Sequence, residues 1–145
     1  MVDGRGVDVE AIWPFVVRYC RARVGRRGGV FAVADGVARD VCAAVVERWV
    51  GGRGRSFVAF VYGIAVREVD GVRGVGVPAV RMAELVRVLP EEQREVLLLR
   101  VVVGLSAEET AAAMGMNAGA VRVVQHRALN ELRRQVKTGS GKEKV

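Results

Sequence analysis

Residues 105–132 of this 145-residue chain read LSAEETAAAMGMNAGAVRVVQHRALNEL, a stretch that contains several signals for helix ends. Ser106 and Glu109 form a capping box, in which the serine hydroxyl and the glutamate carboxylate each accept a backbone N–H at the start of a helix. Gly115 can adopt the left-handed conformation that ends such a helix. Asn117 is a favoured N-cap for a second helix. Two helices joined by a short glycine-containing turn predict a helix-turn-helix.

The second of these helices has one apolar face and one cationic face. Val121, Val124, Ala128 and Leu132 recur at spacings of three and four residues, so they lie on one side. Residues 118–137 contain five Lys or Arg and a single acidic residue. Such a helix suits the major groove of DNA, where arginine can donate twice to guanine; the alternative is a solvated face on a structural helix. The residues expected to contact duplex DNA are Ala118, Gly119, Ala120, Arg122, Val123, His126, Arg127 and Arg134.

The rest of the chain is also helical in pattern, because its many valines recur every three or four residues and do not alternate as in a strand. We expect one helix over residues 9–24 and a second from Asp35, as its N-cap, to about residue 50. A third is expected over residues 57–69, with Ser56 as its N-cap. A proline at position 90 suits the first turn of a further helix, and a glycine at position 104 can end it. The predicted fold class is all-α.

A short Gly/Val/Pro stretch divides the chain into two small helical domains. We place the first domain at residues 1–73, the linker (GVGVPA) at 74–79, the second domain with the helix-turn-helix at 80–137, and a disordered tail at 138–145. Six extended residues span only about 20–22 Å. One turn of B-DNA is about 34–36 Å long. The linker therefore spans less than one turn of B-DNA.

The composition limits the class of partner and the setting. The chain has 23 Lys and Arg against 16 Asp and Glu, a net charge of +7, which favours a polyanionic partner. No uncharged apolar run of about 18 residues is present, so we expect no membrane insertion. The first residues lack the basic and then apolar pattern of an export signal, so we expect a cytoplasmic protein.

Few residues are suited to catalysis or metal binding. Cys20 and Cys42 are the only cysteines and His126 is the only histidine, and they form no cluster along the chain. A nucleophile needs an oriented base beside it, and His126 lies in an arginine-rich helix far from both cysteines in sequence. We therefore expect no catalytic residue, no metal site and no cofactor.

Aromatic and basic residues are interleaved over residues 49–67. Unpaired bases can stack on aromatic rings while arginine holds the backbone, as in single-strand binding sites. The alternative is a helical core stripe, since Phe57, Phe60 and Ile64 are three and four residues apart; we favour the core for Phe60 and Ile64. We also assign Trp13, Phe15 and Tyr19 to the core. The candidates for contacts to single-stranded DNA are Arg53, Arg55, Phe57, Tyr62 and Arg67.

Several motifs in the second half resemble a known family. Residues 89–100 (LPEEQREVLLLR), 104–111 (GLSAEETA), 119–122 (GAVR) and 125–129 (QHRAL) are together similar to the C-terminal domain of bacterial sigma factors. The similarity is to the extracytoplasmic-function (ECF) type of the sigma-70 family. LuxR-type regulators share much of the Pro-Glu-Glu and Gly-Leu-Ser pattern.

The first half distinguishes the two families. Residues 35–41 (DGVARDV) resemble the sigma-factor helix that docks on the polymerase clamp. Residues 55–65 (RSFVAFVYGIA) resemble the aromatic helix that contacts and opens the −10 promoter element. The resemblance therefore extends from about residue 12 to residue 132. A LuxR-type receiver would supply strands and an acidic pocket, and neither pattern is visible.

The resemblance implies a non-enzymatic factor that directs core RNA polymerase to promoters, melts the −10 element and recognises the −35 element. The expected partners are core RNA polymerase, promoter DNA and an anti-sigma factor. Contacts to the −10 element are expected from the candidates for single-stranded DNA, namely Arg53, Arg55, Phe57, Tyr62 and Arg67. Base contacts at −35 are expected from Ala118, Gly119, Arg122 and His126, and phosphate contacts from Arg127, Arg133, Arg134 and Lys137. The residues expected to bind polymerase are Asp35, Val37, Arg39 and Asp40.

Two other functions remain open at this point. A degenerate sigma-like protein would bind polymerase or an anti-sigma partner without initiating transcription, and the short linker at residues 74–79 favours it. A stand-alone helix-turn-helix regulator would bind duplex DNA without polymerase, which requires dimer symmetry.

Overall fold

The computed structural model describes residues 6–51, 56–72 and 88–143, with side chains up to residue 135. Within these ranges the chain forms helices and no strand, and an isolated antiparallel bridge joins Arg27 to Val30. The all-α prediction is confirmed. The elements are α1 (Val9–Val24), α2 (Ala32–Arg48), α3 (Phe57–Asp70), α4 (Glu91–Leu97) with a π-helical segment after it (Leu98–Val103), α5 (Ala107–Met114) and α6 (Ala118–Glu143).

Most helix ends lie where the local signals place them. The Ser56 hydroxyl accepts the Ala59 N–H at 3.1 Å and starts α3. Gly104 ends the π-helical segment with φ of 88°. α6 continues to Glu143, so residues 138–143, which we expected to be disordered, are helical. The predicted linker at 74–79 lies outside the described residues.

The start of α2 differs from the prediction. The helix begins at Ala32, and its N-cap residue, Phe31, makes no side-chain capping bond. Asp35 lies inside the first turn, where its two carboxylate oxygens accept Nε and Nη2 of Arg21 at 2.7 and 2.9 Å. The Arg21 guanidinium lowers the pKa of the Asp35 carboxyl. Asp35 therefore ties α2 to the last turn of α1, an interaction between helices that a capping pattern does not reveal.

Both halves of the chain contribute to one hydrophobic core. α1, α2 and α3 pack together around fully buried Tyr19, Val41 and Val45. Leu98 and Leu99 of the π-helical segment are also fully buried and belong to the same cluster. The first three helices (α1–α3) are called the first block below, and the segment from α4 to α6 the second block. The division into two domains stays a prediction, but the described parts of the two blocks are packed against each other.

A hydrogen-bonded cluster of Tyr19, Tyr62 and Glu95 lies where the two blocks meet. The Tyr19 and Tyr62 hydroxyls, from α1 and α3, both donate to Oε1 of Glu95 at 2.6 Å. Glu95 is only 6% exposed, and its Oε2 lies 3.7 Å from Nη1 of Arg23. The two tyrosine rings meet edge to face at 5.6 Å. The cluster therefore joins three helices through one buried carboxylate.

Burial raises the pKa of both tyrosines well above its usual value, and the charge of Glu95 raises it further. In the unfolded chain both phenols ionise near pH 10. Because the folded state keeps its protons longer, stability is intact below pH 10 and falls as the pH rises beyond it.

We expect tyrosinate absorbance to appear together with unfolding in an alkaline titration. Tyr19 and Tyr62 are the only tyrosines in the chain, so the signal near 295 nm reports this cluster alone. The measurement compares absorbance with helical circular dichroism across the same pH series. A phenol that ionises near pH 10 while the helix signal is intact would contradict the cluster. The Tyr62→Phe variant should show the same behaviour at half the amplitude.

Candidate nucleic-acid interface

The helix-turn-helix is formed by α5 and α6 with the predicted local geometry. The Ser106 hydroxyl accepts the Glu109 N–H at 3.0 Å, and the Glu109 carboxylate accepts the Ser106 N–H at 2.9 Å, so the capping box is complete. Gly115 has φ of 67°, a conformation that a side chain would strain. The Asn117 side chain accepts the Ala120 N–H at 2.7 Å and starts α6. These contacts fix the angle at which the chain passes from one helix to the next.

The two faces of α6 separate as the periodicity predicts. Val121, Val124 and Ala128 are buried, the first two against Val96 and Ala111 of the preceding helices. The opposite face is open to solvent over more than three turns of the helix. At the N-terminus Gly119 is exposed, and Ala118 and Ala120 are half-buried. The exposed side chains among the candidates are Arg122, Val123, His126, Arg127 and Arg134.

Some of these candidates already have polar partners within the chain. Arg122 Nη2 donates to Oε1 of Glu108 at 3.0 Å, a contact that joins α6 to the first turn of α5. Arg134 donates to Glu131 one turn earlier in the same helix. The Asn130 amide lies 3.2 Å from Nε2 of His126. Arg133 is exposed, and the side chain of Lys137 lies outside the described part of α6.

Gln125 has a partner that the sequence pattern does not provide. It lies beside the apolar face of α6, where a polar residue interrupts the pattern. Its Oε1 accepts Nε of Arg100 at 3.0 Å, and Nη1 of Arg100 donates to the Leu105 carbonyl at 2.8 Å. Arg100 lies in the π-helical segment. Arg100 therefore links that segment to the loop before α5 and to α6. The sequence signal for this contact is Gln125 itself, a polar residue within an apolar stripe.

The aromatic segment of the first block lies largely against the core. Trp49 meets Phe57 at 5.0 Å and Phe60 at 5.1 Å between ring centroids, and all three rings are half-buried. Ile64 is buried, as expected for a core position. Tyr62 is directed to Glu95 and not to solvent. Arg67 is exposed, and the candidates at positions 53 and 55 lie outside the described residues.

The four polymerase candidates do not form one exposed surface. Arg39 and Asp40 are exposed on α2, whereas Val37 is buried in the core and Asp35 is half-buried in its ion pair. The exposed pair is therefore available to a partner, and the other two residues hold α2 in place. Phe31 was not among the predicted residues, and its ring lies beneath the guanidinium groups of both Arg21 and Arg26, at 4.9 and 4.8 Å from the ring centroid.

Comparison with known proteins identifies the family. A model of sigma-70 region 4 matches residues 79–132, which include α5, the turn and the first fifteen residues of α6. The ECF RNA polymerase sigma factor SigD of Mycobacterium tuberculosis is 47% identical over 160 residues, covering 88% of this chain and 74% of SigD. The chain belongs to the ECF RNA polymerase sigma factors. The ECF sigma factor ShbA of Streptomyces griseus is 37% identical, over 84% of this chain and 82% of its own length.

A solved structure shares the fold of this sigma factor. The structure of CnrH in complex with the cytosolic domain of CnrY superimposes with a TM-score of 0.70, covering 90% of this chain and 85% of that chain at 22% identity.

The alignment to SigD spans 160 residues, more than the 145 of this chain, so SigD contains internal residues that have no counterpart here. None of the helices in the described ranges is both long enough and apolar enough to span a bilayer.

We expect Gln125→Ala to lower the free energy of unfolding by about 1.5 kcal/mol, because it removes a half-buried acceptor of a charged donor. Chemical denaturation followed by circular dichroism measures the change. Asn130→Ala is the matched control, since Asn130 is exposed on the same helix and its loss should cost less than about 0.5 kcal/mol. Equal effects of the two substitutions would show that the Arg100–Gln125 contact does not stabilise the fold.

Proposed function

We propose that this sigma factor directs core RNA polymerase to promoters by reading the −35 duplex with α6 and melting the −10 element with the first block. The observation that carries the proposal is the α6 face on which Arg122, His126 and Arg127 are exposed above a buried apolar side. A helix of that kind, presented by a helix-turn-helix, fits the major groove. In this role the chain catalyses no covalent step, because the polymerase carries out RNA synthesis.

Different residues on α6 have different roles in this proposal. Arg122 lies in the second turn, where a side chain can reach base edges, and arginine donates well to guanine O6 and N7. Arg127 and Arg133 lie farther along the helix and supply phosphate contacts, which carry affinity but not sequence preference. Each phosphate neutralised steepens the dependence of binding on salt.

The first block contributes polymerase binding and −10 melting. Arg39 and Asp40 are the exposed polar residues of α2 available for the polymerase contact. Arg67 is exposed on α3, and Phe57 keeps part of its ring accessible beside Trp49. These groups, with Arg53 and Arg55, support stacking and backbone contacts to a melted strand. Tyr62 can join them only if its contact with Glu95 opens.

An anti-sigma factor is a further proposed partner. CnrH, which shares the fold, was solved with the cytosolic domain of CnrY. The same architecture in this chain supports a regulatory partner of the same general kind.

A run-off transcription assay tests the proposal. The purified chain is mixed with core polymerase and templates that carry randomised −35 and −10 elements. Enrichment of transcripts from particular sequences supports initiation. Duplex binding without any need for polymerase would favour a stand-alone regulator.

A second candidate function is favoured by the packing of the two blocks. A sigma-like protein that binds polymerase without initiating would keep the Tyr62–Glu95 contact closed and hold α3 away from DNA. SigD also has internal residues that this chain lacks. A shorter chain reduces the distance that the two blocks can span between promoter elements, which favours the same alternative. Polymerase binding without transcripts in the same assay would support this alternative.

We expect Arg122→Ala to reduce the preference for one −35 base pair by about 1–3 kcal/mol, because a guanidinium held at a base edge discriminates among bases. Arg127→Ala is the comparison variant and should weaken binding to all duplexes about equally, with a salt slope reduced by about one. Binding competition between selected and scrambled duplexes measures both. If Arg122→Ala weakens scrambled duplexes as much as selected ones, Arg122 contacts phosphate only.

A further inference from the structure

An ion pair between Glu108 and Arg122 joins the two helices of the helix-turn-helix on their exposed side. Arg122 Nη2 and Glu108 Oε1 are 3.0 Å apart, and the two side chains are 60% and 68% exposed. Glu108 lies in the first turn of α5, and Arg122 in the second turn of α6. The pair is therefore located at the surface that the proposed function presents to DNA.

The pair contributes little to folding. Exposed ion pairs add little to stability because water and salt screen them, and the helix-turn-helix is already held by its capping box and its buried core. The capping box uses Glu109, not Glu108. The backbone N–H of Glu108 and the Arg122 guanidinium both lower the pKa of the Glu108 carboxyl, so this carboxyl stays ionised at neutral pH. The negative charge suits the N-terminal end of α5, and it also places a permanent anion beside the arginine that is proposed to face the groove.

A carboxylate at this place changes what Arg122 can bind. A guanidinium has five N–H donors in a fixed plane, and Nη2 is directed to Glu108 here, so the plane is oriented while other donors stay free. Two parallel donors can then meet guanine O6 and N7. An arginine without this partner would move freely to a phosphate, which carries no sequence information. The carboxylate also repels phosphate, which disfavours that alternative.

We propose that Glu108 is a positioning residue for −35 specificity: it holds the Arg122 guanidinium for base contact and opposes its use on phosphate. The inference rests on the proposed function, since it requires α6 to read the −35 duplex. It assigns to α5, the helix that does not enter the groove, a part in sequence preference.

The test measures base preference at each position with the complete chain bound to core polymerase. Holoenzyme is equilibrated with duplexes randomised over the −35 element, and bound and unbound fractions are sequenced. The four forms compared with the unmodified chain are Glu108→Gln, Arg122→Ala, the double variant and Glu131→Gln. Thermal unfolding of each variant is recorded in parallel.

We expect Glu108→Gln to lower the preference at the base pair read by Arg122 by about two- to fivefold. Binding to scrambled duplexes should tighten, with a salt slope steeper by about 0.9 as Arg122 gains a phosphate. In the Arg122→Ala background the same substitution should leave base preference unchanged. Glu131→Gln is the charge-matched control: it removes a carboxylate charge beside Arg134 at the far end of the interface and should tighten all duplexes equally.

The outcomes separate this inference from the proposed function. If the unmodified holoenzyme prefers particular −35 sequences but Glu108→Gln keeps the same preference, the positioning role is wrong and the proposed function stands. If Glu108→Gln and Glu131→Gln act alike, the effect is one of net charge and the inference is overturned. If the unmodified holoenzyme has no −35 preference, the proposed −35 recognition fails, and the inference fails with it.

Discussion

The carboxylate of Glu95 is the contact on which the arrangement of the two blocks depends. It accepts the hydroxyls of Tyr19 and Tyr62 through one oxygen and has Arg23 beside the other. A buried carboxylate without such donors would be costly, and a hydrogen bond to a charged group is worth about 1.5–3 kcal/mol. Because the donors come from α1 and α3 and the acceptor from α4, the cluster is complete only when the blocks are packed together.

A continuous set of contacts leads from this cluster to α6, the helix proposed to face DNA. Leu98 and Leu99 follow Glu95 and are buried in the core of the first block, and the Val103 carbonyl accepts a bond from Arg18 at 3.3 Å. Arg100 lies between Leu99 and Val103 in the same π-helical segment, and its guanidinium donates a hydrogen bond to Gln125 of α6. The orientation of the cationic face is therefore determined by the second block's own core and also by the helices of the first block. This coupling makes the two blocks structurally interdependent.

The parts of this structure that the sequence could predict are those determined by neighbours along the chain. The capping box, Gly115 and Asn117 act over a few residues, and the valine periodicity divides α6 into two faces; all are found as expected. Tyr62 and Glu95 are 33 residues apart, and nothing local marks them as partners. Aspartate is a residue type favoured at helix N-caps, yet Asp35 forms an ion pair with Arg21 that depends on how α1 and α2 pack. Residues 138–143 continue α6, although the glycines at positions 139 and 141 are poor helix formers and local propensity predicts an end there.

The Tyr19–Tyr62–Glu95 cluster has a consequence for recombining such factors. A chimera that joins the first block of one ECF factor to the second block of another separates the two tyrosines from the carboxylate that accepts their hydrogen bonds. An apolar residue at position 95 would leave two buried phenols without an acceptor, and a glutamate opposite phenylalanines would leave a buried charge without donors. Position 95 therefore belongs, for purposes of exchange, with the first block and not with the half in which it lies in sequence.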